Sequence, residues 1–161
     1  MSMQVKIESL LEGAKRAEGL AVIIDVFRAF TVVPCLLHNG AERVIPVDSV
    51  EEAFKIKEQI PEAVLAGERK GLRIENFDYG NSPYVLEKED FTNKTVIMST
   101  SGGTRGVKNA KQAQEVLTGS FVNASATIEY IRKKQPEIVT LVPVGVRGEE
   151  HRDEDWLCAE Y

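Results

Sequence analysis

The feature that most restricts the fold of this chain is a regular alternation of short apolar runs with longer amphipathic stretches. Buried strands separated by helical patterns need crossover connections, and the architecture that supplies them is a mostly parallel sheet covered by helices. Strands are predicted at Leu20–Asp25, Arg43–Val47, Ala63–Gly67, Thr95–Ser99, Glu115–Thr118 and Ile138–Val144. Helices are predicted at Val32–His38, Val50–Ile60, Thr104–Ala113, Ala124–Lys134 and Asp153–Tyr161. The fold class is therefore α/β, with a mixed or mostly parallel sheet, helices on both faces and three layers. No stretch reads as a linker, a repeat or a low-complexity segment, and 161 residues is an ordinary length for one core, so residues 1–161 read as a single domain.

Two boundaries carry a mechanism. Ser49 followed three residues later by Glu52 is a capping box, and Pro61 stops the helix it opens. Pro34 lacks the N–H a helix interior requires, so it is expected in a first turn, with its helix starting no earlier than Phe30 or Thr31. Val26 to Ala29 then form the connection after a buried strand, which places Asp25 and Arg28 at a strand's carboxyl end, where open α/β sheets bind ligands. The connection from Glu68 to Pro83 is long for a compact domain and holds Phe77, Tyr79 and Pro83, which argues for an ordered functional loop. Its Ser82-Pro83 pair suits the N-cap and first position of a short helix.

Composition narrows the function classes. A formal net charge of −5 repels polyphosphate backbones and anionic membranes, so neither nucleic acid nor a membrane is an expected partner. The start of the chain has no signal-peptide apolar segment, and no apolar run approaches the roughly 18 residues of a membrane helix. Cys35 and Cys158 have no metal-type spacing and read as free thiols in a reducing cytoplasm.

Six of the nine arginines (Arg28, Arg69, Arg73, Arg105, Arg147 and Arg152) fall in or beside loops after strands, whereas ten of the eleven lysines fall elsewhere. Guanidinium forks gathered on one rim match carboxylate, sulfonate or phosphate oxygens two at a time and favour an anionic small-molecule substrate. Simple pairing with nearby acids is the alternative for each. Ser99-Thr100-Ser101-Gly102-Gly103-Thr104 follows a strand and opens a helix, an arrangement suited either to cradling an anion or to an ordinary capped turn. Either Ser120 and Asn123, in a second such turn, bind substrate, or Asn123 simply caps the next helix. Neither dinucleotide nor Walker spacing is present. Asp25-Val26-Phe27 lacks the second aspartate of a phosphoaspartyl motif, and neither cysteine is followed by an arginine six residues on. Carboxylates cluster at Asp25, at Glu68 with Asp78, and from Glu149 to Asp155; such hard oxygens suit Mg²⁺ better than zinc.

In series, these pieces resemble the 2-phosphosulfolactate phosphatases of coenzyme M biosynthesis. Asp25-Val26-Phe27-Arg28-Ala29 is similar to the family's Asp-Val-x-Arg-Ala, and Ala66-Gly67-Glu68-Arg69-Lys70-Gly71 to its Ala-Gly-Glu-Arg-x-Gly. Phe77 to Pro83 resembles Phe-Asp-x-Gly-Asn-Ser-Pro, Thr100 to Arg105 a Thr-Thr-Asn-Gly-Thr-Arg loop, and Gly119 to Ala124 Gly-Ser-x-x-Asn-Ala. Gly102 stands where that family usually has Asn. Family chains continue further, so a chain ending at Tyr161 inside a helical pattern reads as shortened at its carboxyl end.

The resemblance implies a phosphoric monoester hydrolase using Mg²⁺ to release phosphate from 2-phosphosulfolactate. A related phosphorylated 2-hydroxy acid, or simple anion binding without turnover, stays open, as does assembly into a homo-oligomer. Catalytic roles are expected of Asp25, Glu68 and Arg28, and metal contacts of Asp25, Glu68, Glu154 and Asp155. Substrate contacts are expected of Arg69, Asn81, Ser82, Ser101, Gly103, Thr104, Arg105, Ser120 and Asn123.

Overall fold

In the computed structural model, which describes residues 3–161, the strands divide between two four-stranded sheets. The first sheet is wholly parallel and orders β1 (Gln4–Ile7), β8 (Ile138–Pro143), β2 (Leu20–Ile24) and β7 (Glu115–Gly119). The second orders β3 (Arg43–Val47), β6 (Thr95–Ser99) and β4 (Val64–Arg69) in parallel, and closes with the two-residue β5 (Leu72–Arg73) as an antiparallel hairpin on β4.

Side-chain alternation in the central strands explains the layering. Ala21 and Ile23 of β2 and Val96 and Met98 of β6 point into one shared core, which also takes Phe30, Val32 and Leu36. Leu20, Val22 and Ile24 face an outer core closed by Ile131 and Ala159, while Leu65 and Ile97 face a third core with Ala53 and Phe77. The shared core is filled by α1 (Leu10–Arg16), α2 (Ala29–His38) and α5 (Gly103–Asn109), with the short α4 (Pro83–Leu86) against α2. Outside lie α6 (Ala124–Lys134) and α7 (Asp153–Glu160) on the first sheet and α3 (Val50–Gln59) on the second. Each sheet is thus a three-layer α/β unit, and the two units share their inner helices.

The predicted strands and long helices are all present, within a few residues at their ends. Three elements have no counterpart in the sequence reading. β1 leaves Val5 and Ile7 exposed and is held by its ladder to β8, so it shows little burial pattern. α1 buries only Gly13 and Ala14, and both residues of β5 are exposed.

Pro34 lies inside α2, which starts at Ala29, earlier than expected. A proline at that position leaves the carbonyl of Phe30, four residues back, without its helical donor. The Ser120 hydroxyl, fully buried, donates to that oxygen at 2.7 Å. The fold therefore tolerates the proline through a side chain 90 residues away. Ser120→Ala is expected to lower stability by about 1–3 kcal/mol, because a buried carbonyl loses the hydroxyl that replaces its helical donor. Pro34→Ala returns an N–H to the helix, so denaturant unfolding should show a much smaller loss for Ser120→Ala in that background. An equal loss in both backgrounds would disprove this account.

Candidate active site

The carboxyl ends of β2 and β8 in one sheet, and of β4 and β6 in the other, deliver four loops to one cleft of about 370 Å³. Asp25, Arg28, Glu68, Asn81, Ser101, Glu154 and Asp155 all line it, so seven of the residues singled out from sequence meet there. Phe27, Lys70, Gly71, Gly102, Gly145, Val146, Arg147 and Arg152 complete the wall.

Three buried carboxylates hold these loops together, each accepting backbone N–H groups on both oxygens. Asp25 accepts from Ala29 (3.2 Å) and Gly103 (2.9 Å), joining the β2–α2 turn to the first residue of α5. Glu68 accepts from Ser101 N (2.7 Å) and Gly71 N (2.8 Å), joining the β4–β5 hairpin to the loop after β6. Asp155 accepts from Val26 N (2.7 Å) and Gly145 N (2.9 Å), joining α7 to the loops after β2 and β8.

The charges of this trio are only partly compensated. Burial, then the neighbouring charge of Asp155, push the Asp25 carboxyl up to about 7 against the two backbone N–H bonds, and the Glu68 charge adds to the rise. Burial also raises Asp155. A carboxyl near neutrality in a cleft is suited to exchanging a proton at physiological pH. Glu154, half-buried, lines the cleft without a hydrogen-bond partner among the described residues and is the carboxylate left open to water.

The arginines divide into two groups. Arg69 is engaged by the protein: it donates to the Glu68 carbonyl (2.8 Å), to the buried Ser99 hydroxyl (2.8 Å) and to the Asp48 carbonyl (3.4 Å). Arg105 pairs with Asp48 at 3.5 Å. Both lie beside the cleft, in the wall of an adjoining hollow. Among the described residues, Arg28, Arg147 and Arg152 form no ion pair, and these three with Lys70 are the cations of the cleft itself. Lys70 is the one lysine of the eleven that sits in a loop after a strand beside the cleft. Its place in the tip of a hairpin with no apolar pattern left no separate signal.

Other expected contacts have structural employment. Thr104 exchanges hydrogen bonds with Thr100, its hydroxyl accepting from Thr100 N at 2.8 Å and donating to the Thr100 carbonyl at 3.1 Å. Gly103 reaches the site only through its N–H to Asp25, and Ser82 stands at the N-cap of α4, outside the cleft lining. Ser120 supports α2, and Asn123 accepts from Ser120 N and donates to the Thr118 carbonyl, so Asn123 stands at the N-cap of α6 with its side chain turned back to the strand end rather than capping that helix. Cys35 and Cys158 do not line the cleft, and burial raises both thiols, Cys158 to about 11. Protonated thiols of this kind are poor nucleophiles.

Among the described residues no three Asp, Glu, His or Cys side chains converge into a ready-made metal cage. The four carboxylates proposed as ligands share the cleft without closing around one point. Mg²⁺, however, commonly takes one or two carboxylates and completes its shell with water and substrate phosphate. The cleft meets that lesser requirement. Besides Asp25, it contains the side-chain oxygen of Asn81, a residue 6% exposed, which is the one buried side-chain polar atom without a partner among the described residues. An unmet buried acceptor beside uncompensated carboxylates accommodates a hard cation.

Parallel strands whose carboxyl-end loops converge on buried carboxylates and on guanidinium groups that form no ion pair among the described residues define an α/β protein with a charged cleft at its strand ends. More narrowly, the chain belongs to the 2-phosphosulpholactate phosphatase family, whose sequence model matches residues 5–161. It is 44% identical over 142 residues to a Clostridium acetobutylicum protein named "Probable 2-phosphosulfolactate phosphatase", an alignment covering 88% of this chain and 60% of that protein. It is 41% identical over 160 residues to a Carboxydothermus hydrogenoformans protein of the same name, covering 99% of this chain and 66% of the relative. A Clostridium perfringens protein of that name is 42% identical over 146 residues, covering 88% of this chain and 58% of the relative. The chain thus spans about three-fifths of the length of the two Clostridium relatives. Among the described residues no helix is long and apolar enough to cross a membrane.

Proposed function

We propose that this cleft hydrolyses the phosphate monoester of a 2-hydroxy acid, with 2-phosphosulfolactate as the substrate that the names of the relatives support. The observation that carries this reading is the charge of the cleft. Four carboxyl groups (Asp25, Glu68, Glu154, Asp155) and four cations (Arg28, Lys70, Arg147, Arg152) line it, so the wall offers both signs of charge to a ligand. A phosphate dianion placed there has strong donors on one side and close acids on the other. A divalent cation restores the balance.

Asp25 with the Asn81 oxygen, and Glu68 beside them, would hold Mg²⁺. When bound, the ion supplies positive charge against the phosphate oxygens. The chain's own residues do the rest. Arg28 and Arg152 grip the phosphoryl oxygens, using planar donors that follow charge as it spreads in the transition state. The open carboxylate of Glu154 takes the proton of the attacking water. The N–H bonds to Asp25, Glu68 and Asp155 keep the loops from relaxing as charge moves, so the donors are in place beforehand.

Phosphate release from a panel of phosphorylated 2-hydroxy acids, with Mg²⁺ and then with chelator, tests the proposal. Release that requires Mg²⁺ and is fastest on 2-phosphosulfolactate is the expected result. A folded protein that binds sulfolactate but releases no phosphate from any panel member would instead be an anion-binding module.

A further inference from the structure

A second hollow of about 460 Å³ opens beside the cleft, walled by the start of α3 and by Arg69 and Arg105. Lys70, Ser101 and Arg147 line both spaces and therefore form the partition between them. Two of these residues share an unusual backbone. Lys70 has φ 55° and Arg147 φ 56°, left-handed conformations that non-glycine residues adopt at some cost and that concentrate at ligand sites. Both backbones are also tied down. Glu68 accepts the N–H of Gly71 next to Lys70, and Arg105 donates to the Arg147 carbonyl at 3.4 Å. Yet neither side chain forms an ion pair among the described residues. Two cationic side chains are presented from fixed loops and left without a protein partner.

The second hollow has four cationic side chains (Arg69, Lys70, Arg105, Arg147) against three carboxylates (Asp48, Glu51, Glu149), and none of these is one of the buried carboxylates of the cleft. Its Arg105 is already paired with Asp48, and Arg69 is engaged by backbone and hydroxyl oxygens, so Lys70 and Arg147 are the cations free to meet a ligand. A sulfonate matches such a space. It keeps one negative charge at every physiological pH and needs no divalent ion to enter.

We propose that Lys70 and Arg147 are specificity-determining residues that select substrates with a second anionic group. The phosphate end occupies the cleft, and the sulfonate of the three-carbon acid reaches across the partition into the second hollow, between the Lys70 ammonium and the Arg147 guanidinium. This assignment rests on the phosphatase reading above and adds which residues sort its substrates.

Hydrolysis of 2-phosphosulfolactate and 2-phospholactate, which lacks only the sulfonate, is compared for the unaltered chain, Lys70→Ala, Arg147→Ala and Lys70→Arg. Calorimetry with sulfolactate and lactate accompanies the kinetics. The unaltered chain should prefer the sulfonated compound, and each alanine variant should lose about tenfold of that preference, through KM rather than kcat. Lys70→Arg should keep most of it, because the charge is retained. An unchanged preference in both alanine variants, or equal use of the two esters by the unaltered chain, overturns the assignment while leaving the phosphatase reading intact. If neither ester is hydrolysed, that reading fails and calorimetry decides this one. A sulfolactate-over-lactate affinity lost in the alanine variants sustains it, and equal affinity refutes it.

Discussion

Asp25→Asn is expected to lower turnover by about a thousandfold and, at the same time, to make the fold less sensitive to pH. The first effect follows from position, since the side chain lines the cleft and is the best candidate for holding a cation there. The second follows from linkage. The carboxyl ordinarily titrates at 3.8 but is pushed up to about 7 in the folded chain, so between those values the native state binds a proton that the unfolded state has released. Its contribution is fully present below pH 3.8 and is lost as pH rises toward 7, by at most about 4 kcal/mol. Asparagine has no such proton. Compared in chelator, the stability of the variant relative to the unaltered chain should therefore increase steadily from pH 4.5 to 7.5, by several degrees in Tm. A difference that is flat with pH would show that Asp25 is not held near neutrality. Turnover within tenfold of the unaltered chain would remove it from the chemistry.

Gly67→Ala should be among the most damaging single methyl groups in the molecule. Gly67 of β4 pairs with Ser99 at the end of β6, and a Cβ there would lie 2.1 Å from the Ser99 carbonyl oxygen and about 3 Å from two further Ser99 backbone atoms. Three backbone contacts leave no flexible side chain to move aside, so β4 must separate from β6. Glu68 is the next residue of β4 and Ser101 lies two residues beyond the end of β6, and their 2.7 Å hydrogen bond fixes one wall of the cleft. The expected result is a loss of more than about 4 kcal/mol, with most of the protein insoluble or unfolded at 37 °C. Thermal unfolding within two or three degrees of the unaltered chain would show that the strands accommodate the methyl group.

Much of this architecture is determined locally. β2 and β6 are buried along their whole length and so read as uninterrupted apolar runs, and α3 declares its start through Ser49, whose side chain accepts from Glu52 N at 3.0 Å. The carboxyl end of a buried strand is a place in sequence as much as in space, which is why Asp25, Arg28, Glu68 and Ser101 could be selected without coordinates. The charge pattern of the loops likewise pointed to an anionic ligand, because loop arginines far outnumber loop lysines.

What the sequence by itself could not determine is how the strands divide and which polar groups remain free. Strands of equal length and apolarity carry no mark of the sheet they join, and only packing of α1, α2 and α5 between two sheets decides it. The same holds for hydrogen bonds across long separations. Ser120 and Arg69 have the chemistry of ligand contacts, but one answers a carbonyl that Pro34 leaves open and the other ties the ends of β4 and β6 together. Arg147 and Lys70 form no ion pair among the described residues, and the loops that carry them are fixed through their backbones. A side chain's type is written in the chain, whereas whether it is already satisfied depends on neighbours that only the tertiary structure brings near.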